Sequence, residues 1–240
     1  MSQTLRLAEH STPPGVPRPD DRQPPALPVA TWSSTIASAP RDQALPDRPL
    51  PVRLRPRTPI PVHRVPGGEA FAVLPVQAHP GMPTWLPVVD ERHGWAQVLL
   101  PVRPDGAVGW LRLDDRVETV DHPTHITVDT AARSVTLHHG RNLVTWPAGV
   151  GRPTSPTPRG RTFVLGEIRP DRGLVDRAVL LASHMSTHLA WGARMAAVGL
   201  HTWPGAAQGL SSTDGSVVVP PDAVPVLAVC ATPGTAVLIR

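Results

Sequence analysis

Past about Thr58 the chain reads as a series of short apolar runs cut by turn-forming residues. The runs are Glu69 to Leu74, Thr84 to Val89, Trp95 to Leu100 and Ala107 to Leu111. The turns between them, Asp90-Glu91-Arg92-His93-Gly94 and Arg103-Pro104-Asp105-Gly106, each end in the glycine that a positive φ calls for. That many short strands in so little chain predict a small antiparallel barrel over residues 58–118. After a linker, Val117 to Pro123, alternation resumes in Ile126 to Asp129 and Val135 to His139, joined through Thr130 to Ser134. A Gly140-Arg141-Asn142 turn then leads into Leu143 to Ala148. Residues 1–57 have no sustained period and predict an extended, disordered, Pro-rich arm. The expected fold class is mainly β, in two units with a few short helices.

Composition sharpens that division. Nearly half of the 32 prolines fall before Gly67, so the excess lies in the arm, while 40% hydrophobic residues over 240 positions supply a real core. Net charge is +4 and every basic residue is arginine. The arginines are spaced singly and not interleaved with aromatics, which argues against a nucleic-acid partner. The single cysteine, Cys230, excludes an internal disulfide and a multi-cysteine metal site; its place in the apolar run Val226 to Cys230 reads as a small core hydrophobe. No stretch reaches the roughly 18 apolar residues of a membrane span. Ala26 to Ala39 has the flavour of a degenerate export signal, with Ala37-Ser38-Ala39 in the cleavage pattern, but Pro28, the hydroxyl residues and the preceding Asp20 and Asp21 favour a Pro/Ala linker.

Two constellations carry chemistry. His201 emerges from an apolar run, and Thr213-Asp214-Gly215-Ser216 forms a polar turn opening into Val217-Val218-Val219. A neutral imidazole beside a hydroxyl on a glycine turn is the minimum kit for nucleophilic catalysis, since turn N–H groups face a developing oxyanion. His184 and His188, four apart, would share one face of a helix, but no Glu follows His184 as a zinc-hydrolase helix requires, so ordinary surface histidines are the default.

The stretch Gly149 to Leu165 carries a resemblance. Gly149, Gly151, Thr154, Pro156, Thr157, Pro158, Gly160 and Phe163, together with Val198-Gly199-Leu200-His201 and Gly234-Thr235-Ala236-Val237, resemble the L,D-transpeptidase (YkuD-type) catalytic domain over residues 124–240. The Gly94-Trp95 and Gly109-Trp110 pairs of residues 58–118 are similar to those of bacterial SH3-like modules that accompany wall enzymes. The resemblance implies a sandwich-like β domain with a short helix over Pro221 to Val229. It also implies acyl transfer on peptidoglycan stem peptides through a thiolate, without cofactor or metal, in the wall or outside the cell. His201 matches the family's base and Gly215 the glycine of its oxyanion site.

The family's Ser-His-Gly-Cys-Ile-Arg-Met-Pro stretch lies over Thr213 to Pro220, which places Ser216 at the nucleophile and Val218 at the arginine. A thiol near 8.5 ionises with a modest shift, whereas a serine hydroxyl must be deprotonated in concert with attack. The substitution implies a loss of several orders of magnitude and a pseudoenzyme, or a wall-binding scaffold of the same fold. Asp214 leaves open a Ser216-His201-Asp214 triad by analogy.

Overall fold

The computed structural model describes residues 26–169, 175–185, 197–205 and 209–240. Two sheets account for most of it. The first, in the order β3-β2-β6-β5-β4-β1-β7, holds β1 (Val52–Pro56), β2 (Ile60–His63), β3 (Ala70–Leu74), β4 (Leu86–Arg92), β5 (Trp95–Leu99), β6 (Val108–Arg112) and β7 (Val117–Asp121). All its pairings are antiparallel. Gly109 is a packing requirement here, because a Cβ would stand 2.2 Å from a Val62 methyl.

The second sheet begins with β8 (His125–Asp129), β9 (Ser134–His139) and β10 (Asn142–Pro147). Ile126, Val128, Val135 and Leu137 alternate inward at 0 to 2% exposure, which is the period-2 signal seen in the sequence. The β9–β10 hairpin turns through Gly140-Arg141, with Gly140 at φ +62. The sheet continues through β12 (Gly160–Ile168), β13 (Ala178–His184), β14 (Ala197–His201), β16 (Val217–Val218) and β17 (Ala236–Ile239), in the order β10-β9-β8-β17-β12-β13-β14-β16. A two-stranded ribbon pairs β11 (Val150–Gly151) with β15 (Ser211–Thr213).

Strands β12, β13 and β17 are apolar without alternation because both their faces are covered. On one face Phe163, Leu165, Ala182 and Ala236 join the core of the first sheet. On the other, Val164, Val179, Leu181, Val237 and Ile239 pack with Val217, Val219 and helix α1 (Ala223–Cys230), which contributes Ala223, Val224 and Leu227. Pro225 is tolerated in α1 because it falls in the first turn, where N–H groups lack intrahelical partners anyway.

Three expectations need correction. From residue 26 the arm is packed, not disordered: Ala30, Trp32, Ile36, Ala39 and Leu50 are buried in the first core, and Val52 to Pro56 is a strand. Their irregular spacing has no period, so no pattern announced them. Val117 to Asp121 is strand β7 on β1, not a linker. Asp90 to Arg92 extends β4, leaving His93-Gly94 as the loop. The mainly β class holds, with α1 the one α-helix among the described residues, and none there is long and apolar enough to cross a membrane.

Polar contacts stitch the two units together. Arg53 donates to Thr232 Oγ1 at 2.8 Å and to the Pro233 carbonyl at 2.7 Å. Arg161 and Asp42 form a bidentate pair, at 2.7 and 2.8 Å, with side chains 1% and 7% exposed. His122 Nε2 lies 2.8 Å from Thr235 Oγ1, whose own proton goes to the Thr232 carbonyl, so the imidazole donates. Burial first, then the charges of Arg53 and His139, push His122 down to about 4.

Arg161→Ala should lower unfolding free energy by about 3–5 kcal/mol, since it strands Asp42 as a buried, unpaired charge; denaturant titration checks this. For His122 the folded value lies below the ordinary imidazole value of about 6.5, so its contribution is complete above that pH and is lost as pH falls toward about 4. Urea midpoints measured through that window should fall on acidification, and less steeply in His122→Asn.

Candidate functional site

Parallel pairing of β14 with β16 assembles the site. Leu200 registers with Val217 and His201 with Val218, which puts Ser216, just before β16, beside Gly199. The Gly199 N–H donates to Ser216 Oγ at 3.4 Å. Residues 199 and 201 share a strand face, and a Cβ on Gly199 would stand 3.5 Å from His201 Cδ2. Gly199 is therefore the neighbour that Ser216 and the His201 ring have in common. Among the described residues no hydrogen bond joins His201 directly to Ser216 Oγ.

The imidazole is set by its own strand end. Nδ1 lies 2.8 Å from the Thr202 carbonyl, which only accepts, so Nδ1 carries the proton and Nε2 keeps its lone pair. Burial lowers the His201 pKa, and the bond to Thr202 offsets part of that shift. A neutral ring whose Nε2 has no hydrogen-bond partner among the described residues is the form a general base needs. Trp203, 38% exposed, stands edge-on to it at 6.1 Å between centroids.

The turn carrying Ser216 is braced from within and from outside. Thr213 Oγ1 donates to the Ser216 carbonyl at 2.6 Å and accepts the Gly215 N–H at 3.2 Å, while Gly215 takes φ +112. Gly215's N–H is thus turned to Thr213 Oγ1. Outside, Gly149 exchanges both backbone hydrogen bonds with Val218, and the Arg152 N–H donates to the Thr213 carbonyl at 2.9 Å. The loop then doubles back so tightly that a Cβ on Gly151 would meet Ser155 O and Thr157 N at 2.4 Å. Ser216 ends up 8% exposed.

Of the expected residues, the fold brings His201, Gly215 and Ser216 to one sheet edge. Asp214 sits on the same turn but pairs with Arg152, and the group on His201 Nδ1 is the Thr202 carbonyl. Cys230 closes α1 and packs half-buried against the second core, away from the turn. His184 ends strand β13 and is buried, so the helical spacing assumed for it does not hold; His188 lies outside the described residues. Among the described residues no cluster of three or more His, Cys, Asp or Glu could hold a metal. Sequence reading missed Arg152, the Thr213 brace, the Thr202 carbonyl and the Gly199 N–H. Only Thr213 had a local signal, a threonine opening a glycine turn.

Comparison with known proteins gives one family. Residues 123–239 match the model of the L,D-transpeptidase catalytic domain (YkuD). Among solved structures the chain is similar to a Cys-to-Ser mutant of an Enterococcus faecium L,D-transpeptidase, at 22% identity and TM-score 0.40. That match covers 51% of this chain and 53% of that one, about half its length. An L,D-transpeptidase from Mycobacterium smegmatis matches at 17% identity and TM-score 0.41, covering 68% and 96% respectively. L,D-transpeptidase 3 from Mycobacterium tuberculosis matches at 19% identity and TM-score 0.39, covering 57% and 76%. No curated protein matches the chain.

His201 should titrate below the ordinary imidazole value of about 6.5 and carry its neutral-form proton on Nδ1. Ring nitrogen shifts in NMR followed through a pH titration check both, and an Nε2-protonated ring would contradict the Thr202 assignment.

Proposed function

We propose, from the premise that residues 123–239 form a domain of the L,D-transpeptidase (YkuD) family, that this chain binds peptidoglycan stem peptides at the β14–β16 edge with little or no acyl transfer. The observation that carries the reading is Ser216 in the turn beside His201, a residue that the resemblance aligns with the family's cysteine. A neutral base protonated on Nδ1 suits a thiol, which ionises readily. A serine hydroxyl must lose its proton in step with attack, and here Oγ accepts a hydrogen bond from Gly199 instead of donating one to His201. The Asp214–Arg152 pair and the Thr202 carbonyl leave the serine triad without its third member.

The first sheet fits this reading as a companion module. Residues 58–118 we take as SH3-like, with Trp110 only 5% exposed and so a core residue, and Trp95 at the rim in edge contact with His63. The protein would then reside in the cell wall or outside the cell.

Incubation with a carbapenem, followed by peptide mass mapping, separates the possibilities. The natural protein should give no adduct on the Ser216 peptide, and Ser216→Cys should give one. Adding His201→Gln to Ser216→Cys should slow acylation by roughly 10²-fold or more. An adduct on Ser216 itself would show a working serine enzyme. A folded Ser216→Cys protein that takes no adduct would mean the groove is not that of the family.

A further inference from the structure

Beside the first sheet lies a cleft of about 280 Å³ that the candidate site does not use. One wall is the end of β1 and the residue after it, where Arg55, Pro56 and Arg57 follow one another. The other is the 76–84 loop, which presents Val76, Gln77, Pro83 and Thr84. That loop is closed on itself: the Thr84 N–H donates to the Val76 carbonyl at 3.2 Å, and Thr84 Oγ1 accepts the Ala78 N–H at 2.6 Å. The volume stands at the small end of the range that ligand pockets occupy, roughly 300–1,000 Å³.

The cleft carries an excess of positive charge. Arg55 and Arg57 both reach one carboxylate, Glu118, across the β1–β7 pair, where Arg55 and Glu118 are directly opposed. They crowd onto a single oxygen: Arg55 Nε and Nη2 lie 3.0 and 2.8 Å from Oε2, and Arg57 Nη2 lies 3.4 Å from it. Two cations thus share one anion, and no carboxylate lines the cleft itself. Arg53 and Arg55 both lie over the Trp85 ring, 4.5 and 4.9 Å from its centroid, a contact that steadies the Arg55 guanidinium. Arg53 itself is spent on the Thr232–Pro233 turn. Among the described residues Arg55 Nη1 and Arg57 Nε and Nη1 donate to nothing, and Thr84 Oγ1 has no acceptor for its own proton. The two guanidinium side chains are 44% and 59% exposed, so an incoming anion can reach them.

Forked N–H donors without a matched acceptor bind carboxylate or phosphate through paired, charge-assisted hydrogen bonds. The apolar part of the cleft, Pro56, Val76 and Pro83, decides between the two. It suits an oxyanion carried on a short carbon skeleton and offers a hydrated phosphate nothing. We propose that this cleft is a binding site for a small organic carboxylate, held by Arg55 and Arg57, with the Gln77 amide and the Thr84 hydroxyl completing the polar contacts. A peptide C-terminus and a sugar acid both present that group.

¹H–¹⁵N NMR of the full chain is the test, with separate titrations of N-acetylalanine, glucuronate, inorganic phosphate and neutral N-acetylalanine amide at fixed ionic strength. At least one of the two carboxylates should shift the amide signals of Arg57, Gln77 and Thr84 in a saturable way, and the one that does identifies the source. The neutral amide should leave those signals in place. Arg57→Gln changes an exposed side chain and should weaken carboxylate binding roughly 10-fold or more. Arg92→Gln, an equally exposed arginine paired with Asp90 at the far end of β4, should leave binding unchanged. Phosphate binding as tightly as the carboxylates, an equal response to the acid and its amide, an equal loss in both variants, or no saturable shift would each overturn the proposal.

Discussion

Burial of strands β12, β13 and β17 on both faces is the constraint on which the rest depends. Phe163 and Leu165 look into the first core while Val164, between them, looks into the second. A sheet in this position cannot be solvated on either side, so the two units share a core instead of hanging from a linker. The polar groups that this packing strands at the seam must then be paired, since an unpartnered buried charge costs several kcal/mol. Arg161 with Asp42, Arg53 with the Thr232–Pro233 turn and His184 with Asp105 answer that requirement.

The same sheet supplies the candidate site. The second core holds Leu200 and Val217 at no measurable exposure, side by side across the parallel β14–β16 pair. With those side chains locked, Gly199, His201 and Ser216 have little freedom of placement. What remains adjustable is chemical: which nitrogen of His201 is protonated, and what atom sits on the residue-216 side chain. The Thr202 carbonyl decides the first, and the gene has decided the second in favour of oxygen.

That choice bears on chemistry more than on fold. Every element that braces the turn, from the Gly149–Val218 exchange to the Thr213 hydroxyl, would serve a cysteine or a serine alike. A thiol and a hydroxyl differ greatly in acidity, so the atom at residue 216 bears on chemistry more than on the hydrogen bonds that hold the turn.

The sequence by itself determined the hairpins β4–β5, β8–β9 and β9–β10, whose alternation is local, with glycine turns at Gly94 and Gly140. It also determined the segments around His201 and Ser216, because their residue types in that order are distinctive. It was silent on residues 28–42, where Trp32, Ile36 and Asp42 act singly against distant partners and leave no period to read. It was equally silent on the partners of His201 and Asp214. Tertiary structure decided those, because a hydrogen bond goes to whichever acceptor the fold brings within about 3 Å. For His201 that is the carbonyl of the next residue, and for Asp214 it is an arginine 62 positions away.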